Sequence, residues 1–152
     1  MTSSEPRIIV ASREVQAPPG RIFELIAEPT RQPEWDGNDN LAECPSGQRV
    51  RAVGDVFSMT LTMGAVRENH VVEFTEGERI AWRPAKPGRA PVGHLWRWQI
   101  ERLDTDRSLV THTYDWTDLH DETRFPRARA TTTERLAAPI DRLATLAETR
   151  LS

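Results

Sequence analysis

From Asp55 onward, apolar and polar residues alternate with a period of two through one segment after another, the pattern of strands with one dry face and one wet face. Phe57, Met59, Leu61 and Met63 alternate with Ser58, Thr60 and Thr62; His70, Val72 and Phe74 alternate with Arg67, Asn69, Val71 and Glu73. Ile80 and Trp82 follow, then His94, Trp96, Trp98 and Ile100, then Val110, His112, Tyr114 and Trp116. Polar turns at Thr75-Glu76-Gly77-Glu78 and Asp104-Thr105-Asp106-Arg107 join these runs, which predicts an antiparallel meander. Solvent takes the Arg, Asn, Glu, Gln and Thr set, and the aromatic-rich set needs a cover.

The ends of the chain supply it. Residues 7–15 read as extended, and Ala17-Pro18-Pro19-Gly20 opens a short helix over residues 21–28, with Ile22, Phe23 and Ile26 on one stripe before Pro29 stops it. Residues 31–37 can form only a turn or one more helical turn before residues 41–44 resume an extended path. Near the C-terminus the spacing becomes helical: Leu136, Ile140, Leu143, Ala147 and Leu151 recur by fours and threes. A helix of ~20 residues spans ~30 Å, enough to cross the sheet, and Pro139 should bend it by removing a backbone bond. The predicted class is α+β: a curved antiparallel sheet of about six to seven strands around a long C-terminal helix, with two short helices after the first strand.

The inward face carries more than a core needs. Trp82, Trp96, Trp98, Trp116, Tyr114 and three histidines have polar tips, each costing roughly 1–3 kcal/mol if buried without a partner. Together they point to a concave, partly wet cavity with a ligand. A tight turn at 104–107 sets His112 opposite Trp98 or Ile100 and His94 opposite Trp116 or Asp118, roughly 14–20 Å apart. His70 falls near Trp82, about 10 Å and two strands from His94. Such spacings suit a molecule lying between the histidines and not a metal ion shared by them.

Composition narrows the field. At 152 residues the chain reads as one domain, residues 1–152. A net charge of -3 offers phosphate backbones no general attraction, so nucleic acid is not an expected partner. No apolar run is long enough for a transmembrane segment and no signal peptide opens the chain, which places it by expectation in the cytoplasm. Cys44 is the single cysteine, so no disulfide or multi-thiolate zinc site is expected. Asp115, Asp118, His120, Asp121 and Glu122 are the densest set of potential metal ligands, and they read as a loop entering a helix; no metal and no cofactor are expected. Arg83, Lys86 and Arg89 read as a solvated loop.

The order of strand, two short helices, meander and long helix resembles the SRPBCC superfamily of START-like, helix-grip proteins, in its polyketide cyclase/dehydrase-like branch. The likeness is carried by Ala17-Pro18-Pro19 before Ile22-Phe23, Glu28-Pro29 through Pro33-Glu34-Trp35-Asp36, Gly54-Asp55, Arg79-Ile80-Ala81-Trp82-Arg83 and Val110-Thr111-His112-Thr113-Tyr114-Asp115-Trp116. It implies a hydrophobic cavity between sheet and helix, and no single reaction. Three functions follow as expectations: binding of a small hydrophobic molecule such as a lipid, polyketide or other aromatic or alicyclic compound; a cyclase or dehydratase using the same cavity; or a non-enzymatic interaction or regulatory module, as monomer or homodimer. The expected ligand contacts are Trp35, Phe57, Met59, Leu61, His70, Val72, Trp82, His94, Trp96, Trp98, His112, Tyr114 and Trp116, with Leu136, Ile140 and Leu143 from the helix. His70, His94, His112 and Tyr114 are the candidates for moving protons.

Overall fold

The computed structural model describes residues 5–149. Seven strands, β1 (Ile8–Val15), β2 (Leu41–Glu43), β3 (Val56–Leu61), β4 (Val66–Thr75), β5 (Arg79–Ala85), β6 (Leu95–Asp104) and β7 (Arg107–Asp115), form one curved sheet in the order β1-β7-β6-β5-β4-β3-β2. Every pairing is antiparallel. The meander closes by bringing β1 back against β7, so the helices between β1 and β2 are carried across one face of the sheet.

Those helices are α1 (Pro19–Ala27) and α2 (Gln32–Trp35), separated by a 3-10 turn at Pro29–Arg31. α1 begins two residues earlier than the apolar stripe suggests because Pro19 occupies its first turn, where the missing N–H costs nothing. Pro29 then forces Glu28 out of the helical region, and the Glu28 carboxylate accepts from the Thr30 amide. After β7 come a 3-10 turn at Glu122–Arg124, the short α3 (Phe125–Arg129) and the long α4 (Thr133–Glu148), capped by the Thr132 hydroxyl. Leu151, the last member of the predicted stripe, lies outside the described residues.

α4 packs against β1, β7, α1 and α2. Pro139 leaves the Arg135 carbonyl without its helical donor, and the Asn38 side-chain amide fills the gap, donating to Arg135 O at 2.9 Å. The adjacent Gly37, at φ +75°, passes so close that a Cβ there would lie 2.9 Å from the Ala138 carbonyl carbon. The missing backbone bond in the helix is thus the place where the chain after α2 docks.

Along β3, β5, β6 and β7 the apolar and aromatic set turns inward as read, although Ala81, Leu95 and Thr113 of the opposite set are buried too, and along β4 the alternation fails. Val71 pairs with Trp82 and Glu73 with Ala81, so Val72 is an extra, bulged residue. Upstream of the bulge the odd residues turn inward: Asn69 and Val71 are buried, while Val72 is 37% exposed. His70 and Val72, both expected inside, therefore face outward, and Arg67 and Asn69, expected outside, face the interior. Met63 lies past the end of β3 and is exposed.

Candidate ligand-binding site

Between the sheet and the N-terminal half of α4 the structure holds a cavity of about 490 Å³. Met59 and Leu61 of β3, Arg67 and Asn69 of β4, and Trp82 of β5 form one side; Trp96, Trp98, His112 and Tyr114 of β6 and β7 form the floor. Gln32 and Trp35 of α2, Asn38, Asn40 and Leu41, and Leu136 and Pro139 of α4 close it from above, and Arg124 and Arg127 stand at the opening.

The floor is a column of stacked rings. His112 lies on Trp98 at 3.8 Å between centroids and 10° between planes, Trp96 tilts over Tyr114 at 4.4 Å, and His94 meets Tyr114 edge-on at 6.1 Å. Register builds it: Trp98 pairs with His112 and Trp96 with Tyr114, placing the rings of β6 and β7 side by side on one face. The ladder ends at Leu95 and Asp115, so His94 sits just beyond it, at the end of the column nearest the arginines. Trp35 packs edge-on against Trp98 at 5.1 Å while its indole N–H donates to Leu25 O at 2.8 Å. It therefore both seals α2 to the sheet and walls the cavity. The neighbouring Asp36 carboxylate accepts from the Asn40 and Leu41 amides and holds the loop after α2.

Several polar groups on these walls have no protein partner. His94 Nδ1 is buried and unpaired. The Tyr114 hydroxyl and the Asn69 amide make no side-chain hydrogen bond among the described residues, although Tyr114 is 4% and Asn69 6% exposed. His112 is held differently: its Nδ1 lies 3.3 Å from Leu136 O, and because a carbonyl only accepts, Nδ1 carries the proton and Nε2 is left as an acceptor. Burial pushes the His112 ring down to about 3, opposed by that carbonyl. Burial, then the charges of Arg124, Arg67, Arg83 and Arg127, pushes His94 down to about 4. Tyr114 is pushed up to about 12 by burial, offset in part by Arg124 and Arg127. At neutral pH all three side chains are uncharged.

The other expected ligand contacts lie elsewhere. Phe57 packs edge-on against Trp82 at 5.2 Å and Trp116 against Phe125 at 5.5 Å, both within the filled core. Ile140 and Leu143 are also core, because the C-terminal half of α4 rests on β1 and α1 and only its first turns overhang the cavity. His70 and Val72 are on the outer face. Arg67, Asn69, Gln32, Arg124 and Arg127 line the cavity without having been legible as site residues; an inward-facing polar side chain leaves no mark in an apolar alternation.

The acidic segment after β7 is used by the fold. Asp115 accepts from the Thr117 amide, Asp121 caps the turn at Thr123, and Asp118 meets Arg83 at 3.3 Å. Among the described residues no group of three or more His, Cys, Asp or Glu side chains could hold a metal ion, and no helix is long and apolar enough to cross a membrane.

Known proteins converge on this architecture. Protein MLL2253 of Mesorhizobium loti superposes with a TM-score of 0.69 at 17% identity, over 95% of this chain and all of that one. A START superfamily protein of Mycobacterium smegmatis does so with a TM-score of 0.64 at 16% identity, over 94% of this chain and 98% of that one. In sequence, the uncharacterised protein Rv0088 of Mycobacterium tuberculosis is 28% identical over 114 residues, 73% of this chain and 48% of the relative. The chain spans about half the length of the curated relatives it matches. Residues 6–148 match the family described as polyketide cyclase / dehydrase and lipid transport. With a match over nearly its whole length, the chain belongs to that family, and its helix-grip fold is the one it shares with the START superfamily protein.

Proposed function

We propose that the protein binds one small, mainly apolar molecule in the space between its sheet and the first turns of α4. The observation that carries this reading is the cavity itself: about 490 Å³, within the range of ligand pockets, roughly 300–1,000 Å³, and walled by four indole rings. Its polar tips without a protein partner add to the case, since a ligand or trapped water can satisfy them. Native mass spectrometry of gently purified protein, followed by titration of a broad apolar panel against tryptophan fluorescence, tests it. A retained mass or a saturable quench supports binding; no member of the panel bound means the reading falls.

Cyclase or dehydratase chemistry is the second reading, favoured by a fixed His112 tautomer with its Nε2 acceptor and Tyr114 within one column of rings. Magnitude ranks it second. A general acid-base works best with its pKa near the working pH, and rings held at about 3 and about 4 are poor bases at neutral pH. Turnover of a polyketide-like substrate that disappears in His112→Asn while its binding persists would move catalysis to first place.

A further inference from the structure

We infer that the bound molecule is an amphipathic anion, with its apolar body among the indoles and an oxyanion, carboxylate or phosphate, held at the cavity mouth by Arg67, Arg124 and Arg127. This rests on the binding reading above and adds the chemistry of the head group.

The three arginines come from separate elements. The bulge in β4 is what turns Arg67 inward beside Asn69, whereas Arg124 ends the 3-10 turn before α3 and Arg127 lies on α3. Together with Arg135 they give the cavity lining four guanidinium groups against one carboxylate, Asp36, which the backbone already engages. The chain as a whole has a net charge of -3, so this concentration of positive charge does not reflect a basic protein.

Arg67 is the anomaly. Every other half-buried arginine among the described residues has a compensating partner: Arg31, Arg49, Arg83, Arg97, Arg107 and Arg124 meet carboxylates, and Arg7 stacks on Trp116 and Phe125. Among the described residues Arg67 has no carboxylate and no ring, only the carbonyl of Val66 at 3.2 Å. Burial and the charges of Arg124 and Arg127 both press its proton affinity down. Arg127 likewise has no ion pair among the described residues, and Arg124 has only Asp121, at 3.6 Å. A half-buried guanidinium facing two others is an unfavourable arrangement until an anion joins it, and guanidinium forks match carboxylate and phosphate oxygens in geometry as well as charge. The unpaired Asn69 amide beside Arg67 supplies further donors.

Calorimetric titration with 2-naphthoate, 2-naphthyl phosphate and the neutral 2-naphthalenemethanol separates head group from body. At least one anion should bind roughly tenfold tighter than the alcohol, the size of a charge-assisted pair that is not fully desolvated. Which anion binds tighter assigns carboxylate or phosphate. Arg67→Gln and Arg127→Gln should each weaken the anion about fivefold or more and leave the alcohol within about twofold, while Arg102→Gln, away from the cavity, changes neither. Arg127 is exposed on a short helix, so its variant carries the test even if Arg67→Gln fails to fold. Equal binding of anions and alcohol, unmoved by the arginine variants, overturns the head-group inference and leaves the cavity reading standing. Failure of all three probes and of the apolar panel removes both.

Discussion

The most searching test of the site's electrostatics is to replace His112 with Phe and compare stabilities at two pH values. The ring is buried on Trp98 and its folded-state value is about 3, against an ordinary 6.5. Below pH 6.5 the unfolded chain therefore binds a proton at this residue that the folded chain refuses, so stability is fully present above that pH and drains away as pH falls toward 3. The slope is about 1.4 kcal/mol per pH unit for one proton, which makes the loss about 3 kcal/mol by pH 4.5. His112→Phe keeps an aromatic face for Trp98 and gives up the 3.3 Å contact with Leu136 O, costing about 1 kcal/mol at pH 7.5. At pH 4.5 the variant should be more stable than the parent by about 2 kcal/mol, the two curves crossing at about pH 6. Urea unfolding followed by tryptophan fluorescence at constant ionic strength measures both points. His94, pushed down to about 4, and the low-lying carboxyls of Glu24 and Glu73, held down by Arg49 and Arg97, titrate in parent and variant alike and cancel in the difference. A stability difference of the same sign and size at both pH values would show that His112 is not the group resisting protonation.

Other expectations concern the frame around the cavity. Asn38→Ala should cost about 1 kcal/mol in the parent but little in a Pro139→Ala background, where the restored backbone amide serves Arg135 O; equal costs in a double-mutant cycle would sever the link between proline and asparagine. Gly93 has φ +119°, and a Cβ there would sit 2.0 Å from Asp118 O, so Gly93→Ala should lose about 3 kcal/mol or more. Gly47→Ala, also at positive φ but in open space, should lose only about 1 kcal/mol in the same thermal melts. Arg49 bridges Glu24 and Glu76 at 2.7 and 2.8 Å with both carboxylates largely exposed, so Arg49→Met should cost no more than about 1 kcal/mol and lose that effect in high salt.

The fold was legible because β3, β5, β6 and β7 carry an apolar or aromatic residue at every second position over most of their length and the turns at 75–78 and 104–107 are short and polar. The sequence narrowed each register to two choices, His112 opposite Trp98 or Ile100 and Trp82 near His94 or Trp96, and the structure takes Trp98 and Trp96. The long helix was also plain, but the partner of each of its turns was not. Leu136 overhangs the cavity while Ile140 and Leu143 rest in solid core, and nothing in a stripe of aliphatic residues marks where along the stripe the facing surface recedes.

β4 shows why the site was harder to read than the fold. Two sets competed for its inner face, His70-Val72-Phe74 and Arg67-Asn69-Val71, and hydrophobicity favours the first. The bulge at Val72 lets the strand satisfy both, sending Val71 inward before it and Phe74 after it, and the cost is that Arg67 and Asn69 must turn inward as well. In an ordinary core that would be prohibitive, since a buried guanidinium without a partner costs several kcal/mol. The arrangement is tolerable only because the space in front of these two residues is a cavity open to solvent and to solute. An alternation argument assumes that the inside is dry; where the inside encloses a cavity, polar side chains can line it, and the rule fails at Arg67 and Asn69.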